Sequence, residues 1–118
     1  YADTMEATKG HSLTTSIDYS VLTTDDPKSI YNMVTGRCSG TFLAMPDGKV
    51  GGAGFCLRRD KDGDTQSISF ELKPGADKRA WQSTGGTGKF AGRTDSGWFQ
   101  PAVNDGKMAV SRWGGTCK

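Results

Sequence analysis

This sequence lacks long apolar runs, clear helical segments and any recognisable motif for a zinc site or a serine nucleophile. No segment approaches the ~18 apolar residues that a membrane-spanning helix needs, which excludes that class. No run of five like charges occurs and the net charge is +2, so the basic surface of a nucleic-acid-binding protein is missing. With one histidine, no C-x-x-C and no G-x-S-x-G, zinc spacing and a serine nucleophile elbow are also excluded.

The composition favours a sheet. The chain has 118 residues, of which 34% are hydrophobic and 17 are glycine, and this size fits one domain (1–118) with a modest core. The apolar share is low for a helical domain, but it suits strands that alternate between a buried and a solvated face. Only residues 76–81, ADKRAW, suggest a short helical turn.

Turn signals divide the chain into short strands. Asp-Gly pairs occur at 47–48, 62–63 and 105–106, and each is typical of a two-residue type I′ hairpin, in which both residues need positive φ. We predict strands at 11–22, 30–45, 50–59, 66–73, 79–84, 87–92, 96–103 and 108–114. The predicted fold is therefore all-β, a single small antiparallel β-barrel of about eight strands in meander order.

The two-residue loops would also fix which residues face one another across the strands. They place Leu57 opposite Ile68 and Phe55 opposite Phe70, with Gly40 also opposite Phe55. This register predicts an apolar face and a mixed face, the latter carrying Cys56, Arg58, Ser67, Ser69 and Glu71. The third hairpin would pair Trp98 with Trp113 and set Val103 against Met108. Pro101, within a strand pattern, indicates an edge, a bulge or an early end to the pairing, and an edge would imply an open barrel or an oligomer contact.

Residues 84–94, TGGTGKFAGRT, place glycines at 85, 86, 88 and 92 around a single aromatic, Phe90. Such a glycine-punctuated segment suits a tight barrel corner. It resembles the GGTGKF or GGSGxF strand of the allene oxide cyclase and dirigent-type barrels, a calycin-like architecture. The resemblance implies a cofactor-free isomerase, cyclase or lyase, or alternatively a non-catalytic, dirigent-like or lipocalin-like binding barrel. Catalytic residues of these families cannot be carried over, because the likeness is confined to this segment.

An acidic stretch must be weighed as a calcium loop. Asp60, Asp62, Asp64 and Glu71 occupy positions 1, 3, 5 and 12 of the EF-hand spacing. However, Thr65 stands where that loop needs glycine, and the flanking segments are not amphipathic helices. We therefore expect a solvated hairpin tip and no metal.

The three cysteines, Cys38, Cys56 and Cys117, allow one disulfide and one free thiol. The predicted register points Cys38 and Cys56 to opposite faces, which disfavours that pair and leaves Cys38–Cys117 and Cys56–Cys117 open. The chain starts at Tyr1 and its first ten residues lack the apolar segment of a signal peptide. A mature exported chain begins in this way, as does a trimmed one, and with the cysteines we expect export.

The candidate site is a barrel interior that takes a compact apolar or aromatic molecule. Its walls would be Trp81, Trp98 and Trp113, with Gln100, Ser111, Cys56 and Ser69 as further ligand-binding residues. Arg58 would bind a carboxylate or phenolate and Glu71 would move a proton, which makes these two the candidate catalytic residues. The alternatives are that the tryptophans only stabilise the sheet and that Arg58 and Glu71 are surface charges.

Overall fold

Eight antiparallel strands form one sheet in chain order in the computed structural model, which describes residues 2–104 and 109–116. They are β1 (Ala2–Thr8), β2 (His11–Leu22), β3 (Val34–Ala44), β4 (Val50–Arg59), β5 (Thr65–Leu72), β6 (Arg79–Gly86), β7 (Ser96–Asn104) and β8 (Ala109–Thr116). Each strand pairs with its neighbours in sequence, so the predicted all-β class and meander order are confirmed. None of the described residues belongs to a helix that could cross a membrane.

The predicted closure into a barrel is wrong, because the sheet is open. Its order runs from β1 to β8 without a pairing between those two edge strands in the described residues. The overall shape is elongated, with extents of 47 × 25 × 21 Å. Chain segments outside the strands cover one face instead: the β2–β3 connection contributes buried Tyr31, and the turn after β6 contributes buried Phe90.

The β3–β4 and β4–β5 hairpins have three-residue loops, and this overturns the predicted registers. In the second, Gly63 N–H donates to the carbonyl of Asp60, and Asp60 N–H donates to the carbonyl of Asp64. Within this loop Gly63 is the residue with positive φ, at 85°, as in a type I turn closed by a glycine bulge. The extra loop residue shifts the pairing by one, so Cys56 lies opposite Ile68 and Gly54 opposite Phe70.

The same shift operates in the β3–β4 hairpin, where Gly48 has φ 84°, and it pairs Cys38 directly with Cys56. These two residues form a disulfide with a Cα–Cα distance of 4.0 Å. The expectation that they face apart is therefore wrong, because it depended on a two-residue loop.

A one-residue slip moves side chains to the other face of the sheet. The inner face carries the core: Leu22, Tyr31, Val34, Cys56, Ile68, Phe70, Trp81 and Phe90. Phe55 and Leu57, which were predicted to share the apolar face with Ile68 and Phe70, instead lie on the outer face, 68% and 67% exposed.

Glycines on β3 and β4 make room for aromatic rings of the inner face. A Cβ at Gly40 or Gly54 would lie 2.8 Å or 2.5 Å from Cζ of Phe70. The predicted device, a ring lying over glycine, is present, but the ring belongs to Phe70 and not to Phe55. With Cys56 opposite Ile68, Gly54 lies opposite Phe70. Phe70 therefore takes the place over glycine that was predicted for Phe55.

Residues 84–94 do not form the predicted strand at 87–92. β6 extends to Gly86, and the chain then makes a 3-10 turn, Gly88–Phe90, in which Gly88 has φ 55°. This turn buries Phe90 completely. The suggested helical turn at 76–81 is also absent, since β6 begins at Arg79, and β1 was missed because its sequence, ADTMEAT, is mostly polar.

The β7–β8 register differs from the prediction as well. Phe99 lies opposite Trp113, and Trp98 opposite Gly114. A register shift between Pro101 and Val103 confirms the bulge that was one of the three interpretations of Pro101. Asp105, Gly106 and Met108, which include the predicted hairpin turn, lie outside the described residues.

Candidate functional site on the inner face

The β2–β3 connection delivers Tyr31 to the inner face. The segment ends on Met33, whose φ is 60° and whose N–H donates to the carbonyl of Leu22 over 2.8 Å. Asn32 Oδ1 accepts from Thr24 N–H over 3.1 Å and ties the two ends of the segment together. These bonds fold the connection back, so that Tyr31 is only 1% exposed and its ring contacts Trp81, Phe90 and Trp113.

The Tyr31 hydroxyl joins a buried polar cluster. It donates to Asp95 Oδ2 and accepts from Gln66 Nε2 over 2.9 Å. Asp95 is fully buried and its Oδ2 also accepts from Arg93 Nε at 2.7 Å. A buried carboxylate is tolerated only when it is paired and hydrogen-bonded. Here Arg93 provides the opposite charge and the Tyr31 hydroxyl provides a further hydrogen bond. The cluster connects the β2–β3 segment, β5 and the residues just before β7.

Arg58 lies beside this cluster, and among the described residues it forms no salt bridge with a carboxylate. Its side chain crosses Gly36, where a Cβ would lie 2.9 Å from Arg58 Cγ. Its guanidinium carbon is 5.7 Å from the centroid of the Trp81 ring, a cation–π distance. Burial lowers the pKa of Arg58 to about 10, and the charge of nearby Tyr31 opposes that shift only partly.

Three buried polar atoms on the inner face lack hydrogen-bond partners in the described residues: Arg58 Nε, Gln66 Oε1 and Ser83 Oγ. The three side chains are close by register. Arg58 is paired with Gln66 on the next strand, and Ser83 is paired with Ile68, two residues further along β5. Buried polar groups normally have hydrogen-bond partners. Three neighbouring atoms that lack such partners in the described residues therefore distinguish this site from the rest of the core.

A second cation lies further along the same face. Arg79 packs over Phe42 and Phe99, with its guanidinium carbon 4.9 Å and 5.5 Å from the two ring centroids. Burial lowers its pKa, and Asp18 partly restores it. Phe70 stacks on Phe42 and meets Phe99 edge-on. Phe42, Phe99 and Trp113 are only partly buried, so this aromatic surface remains accessible.

The sequence-predicted site residues are divided between the two faces. Arg58, Cys56, Trp81 and Trp113 lie on the inner face. Cys56 is held in the disulfide and presents no thiol there.

The others point away from that site. Glu71 and Ser69 lie on the outer face, opposite Ala53 and Phe55. Trp98 and Gln100 also alternate outward, and Lys78 Nζ lies 4.0 Å from the centroid of Trp98. Ser111 shares a face with Trp113 by alternation, but is exposed. The expected proximity of Arg58 and Glu71 is therefore wrong, and the three-residue loop is the cause.

Sequence reasoning missed Tyr31, Gln66, Asp95 and Arg79. Tyr31 and Asp95 are 64 residues apart, and no local pattern links them. Gln66 carries no motif. Arg79 had a usable signal, because it begins a predicted strand two residues before Trp81 and therefore shares its face.

The acidic hairpin tip is organised around a lysine. Lys89 Nζ lies 2.5 Å from Asp60 Oδ2, 2.9 Å from Asp62 Oδ2 and 3.9 Å from Asp64 Oδ2. Lys89 lowers the pKa of Asp60 and has its own pKa raised in return. The ammonium thus occupies the position that a cation would take in a calcium loop. Glu71, the remaining EF-hand position, lies along β5 and away from the tip.

We expect Lys89→Met to lower the urea midpoint of unfolding at pH 7, because it leaves the carboxylates of Asp60, Asp62 and Asp64 facing one another. The pKa of Asp60 is lower in the folded state, so its contribution is full above about pH 4. It is lost as the pH falls through the lowered pKa, and the difference between variant and parent should shrink accordingly. Lys61→Met, at the exposed tip of the same hairpin, is the control. A difference that grows in acid would contradict this account.

Comparison with family models, with curated proteins and with solved structures finds no match to this chain.

Proposed function

We propose that this protein binds a compact aromatic anion, a carboxylate or phenolate, on the inner face of its sheet. The observation that carries the proposal is Arg58: a largely buried guanidinium over the Trp81 ring, with a lowered pKa and an Nε atom that has no partner in the described residues. Burying a cation without a counter-charge is costly. An anionic ligand would supply the missing charge and hydrogen bond.

The rest of the ligand's chemistry follows from the neighbouring side chains. Trp113 is only partly buried and offers a ring face or edge to a planar molecule, while Trp81 lies behind Arg58 and is 4% exposed. Gln66 Oε1 can accept a hydrogen bond and Ser83 Oγ can donate or accept one. A planar apolar body with one anionic group and one polar substituent fits this set, as is usual for small-molecule sites with few polar groups.

The test is tryptophan quenching by small aromatic carboxylates and phenols, measured in a Trp98→Phe background that removes the outer-face tryptophan. Arg58→Ala should weaken binding of carboxylates about ten- to a hundredfold, because a hydrogen bond to a charged group is worth ~1.5–3 kcal/mol. It should leave the weaker binding of the matching uncharged amides unchanged. Arg112→Ala, which removes an exposed arginine beside Trp113, is the matched control. Equal binding of carboxylates by Arg58→Ala and the parent would refute the role of Arg58.

The second candidate is cofactor-free isomerase, cyclase or lyase chemistry, which the resemblance of residues 84–94 to allene oxide cyclases implies. The observation that favours it is the Tyr31–Asp95 hydrogen bond beside Arg58, since a phenol paired with a carboxylate can exchange a proton with a ligand. Binding is the better supported of the two, because Tyr31 and Asp95 are buried and Glu71 lies on the other face. Deuterium incorporation from D₂O into a bound carbonyl compound, abolished in Asp95→Asn, would support catalysis.

We also propose export. The Cys38–Cys56 disulfide supports it, since such bonds persist in oxidising compartments.

A further inference from the structure

The outer face of the sheet carries an unusual set of exposed apolar side chains. Tyr19, Val21, Phe55 and Leu57 are 77%, 61%, 68% and 67% exposed. They are neighbours by register, because Arg37 of β3 lies between Tyr19 and Leu57, and Ser39 lies between Ile17 and Phe55. These residues form two exposed apolar stripes, on β2 and on β4, separated by Arg37 and Ser39 of β3. Exposed apolar side chains gathered in this way indicate an interaction surface.

The shape of this patch is a ridge with a groove on each side. Phe55 lines a groove of about 320 Å³ whose other walls include Ser69, Ala80 and Gln82. Leu57 lines a second groove of about 720 Å³, bounded by Tyr19 and Val21. Both ridge residues project from β4: Phe55 is flanked by Ser39 and Ser69, and Leu57 by Arg37 and Ser67.

The charges around the two grooves have opposite sign. Glu71 lies at the rim of the first groove, and Arg59 lies at the rim of the second. If the Phe55 ridge of one copy enters the second groove of another, Glu71 of the first copy comes against Arg59 of the second. A two-fold axis repeats the contact, so ridge, groove and ion pair all occur twice.

We propose that this outer face is the interface of a homodimer, in which two copies pack sheet against sheet through β2–β5. Four strands ~4.8 Å apart and ten residues at ~3.3 Å each span roughly 600 Å² in projection. This is close to the ~800 Å² that each partner buries in an interface of standard size. The inner face stays free for the proposed ligand, so the dimer does not depend on that function.

The first experiment is sedimentation velocity of the full chain between about 1 and 100 μM, with circular dichroism melting of every variant. Leu57→Glu should weaken the dimer at least tenfold and keep the fold, because its side chain is exposed. Thr116→Glu adds the same charge at an exposed position of β8, two strands away from the nearest groove wall, and should dimerise like the parent. A parent that stays monomeric at 100 μM would overturn the proposal, even if it co-sediments with anionic lipid vesicles. Dimerisation of Leu57→Glu with parental affinity would overturn it as well.

Exchanging the charges of Arg59 and Glu71 tests whether the partner at this face is a second copy of the chain. Arg59→Glu and Glu71→Arg should each weaken the dimer, and the double variant should recover affinity, since the pair re-forms with its polarity reversed. Failure of the double variant to recover would refute the predicted alignment. Hydroxyl-radical footprinting adds a measurement without mutation: oxidation of Tyr19 and Phe55 should fall as the parent concentration rises. Unchanged oxidation in a sample that is dimeric by sedimentation would assign the dimer to another surface and overturn the proposal.

Discussion

Replacing both Cys38 and Cys56 by alanine should lower the free energy of unfolding by about 3 kcal/mol, the loop-closure value for a cross-link of this length. The two cysteines are 18 residues apart and join β3 to β4 at the centre of the sheet. The unfolded chain gains conformational freedom when the bond is removed. Since domains of this size are stable by roughly 5–15 kcal/mol, the loss is a large fraction of the total. Urea unfolding of the double variant against the parent measures it.

The control for this prediction is Cys117→Ala, which should remain within about 0.5 kcal/mol of the parent. Reduction of the parent should reproduce most of the loss seen in the Cys38→Ala/Cys56→Ala variant. Cys117 lies outside the described residues, and the sequence had left it open as the partner of either cysteine. If Cys117→Ala destabilises the chain as much as the double variant does, one of those pairings is the true one, because the double variant removes a partner in either case.

The same pair of cysteines shows how far the sequence could predict the fold. Strands at 11–22 and 50–59 were predicted with the bounds that β2 and β4 have. This succeeded because β-prone residues and turn residues alternate locally. The Asp-Gly pairs correctly located two hairpins. They did not reveal the number of loop residues, because Asp-Gly suits both a type I′ turn and the end of a type I turn with a glycine bulge.

The extra residue in the β4–β5 loop determines which side chains share the candidate site. With three residues in the β4–β5 loop, Cys56 faces inward with Arg58, while Glu71 and Ser69 face outward. Alternation along β4 was read correctly, since Cys56 and Arg58 do share a face. The relation between β4 and β5 was lost, because register is a property of the turn and not of either strand. Arg58 and Trp81 were therefore predicted as site residues, but with the wrong neighbours.

The open edge of the sheet and the buried polar cluster could not be predicted for a different reason. Both depend on contacts between residues far apart in sequence. Residues 30–33 were predicted to begin a strand, whereas β3 begins at Val34, and nothing local in the connection TTDDPKSIYNM indicates that it covers the inner face. Gln66 and Asp95 are buried and both bond to the Tyr31 hydroxyl, which this connection delivers.

Removing one oxygen atom from this cluster should be costly. We expect Tyr31→Phe to lower the free energy of unfolding by about 2–3 kcal/mol, in the range for losing a buried hydrogen bond to a charged group. The ring and its contacts with Trp81, Phe90 and Trp113 remain. The loss therefore falls on the polar cluster: Asp95 loses a donor and Gln66 Nε2 loses its acceptor. Urea unfolding at neutral pH is the measurement.

Tyr19→Phe is the matched control, because it deletes the same hydroxyl from a tyrosine that is 77% exposed. Its stability should stay within about 0.5 kcal/mol of the parent. A second variant, Asp95→Asn, removes the charge while nearly keeping the shape, and combining it with Tyr31→Phe forms a double-mutant cycle. The two losses should be clearly non-additive, since both variants break the same hydrogen bond. Simple addition would mean that Tyr31 and Asp95 stabilise the chain independently, and the coupling between them would then be refuted.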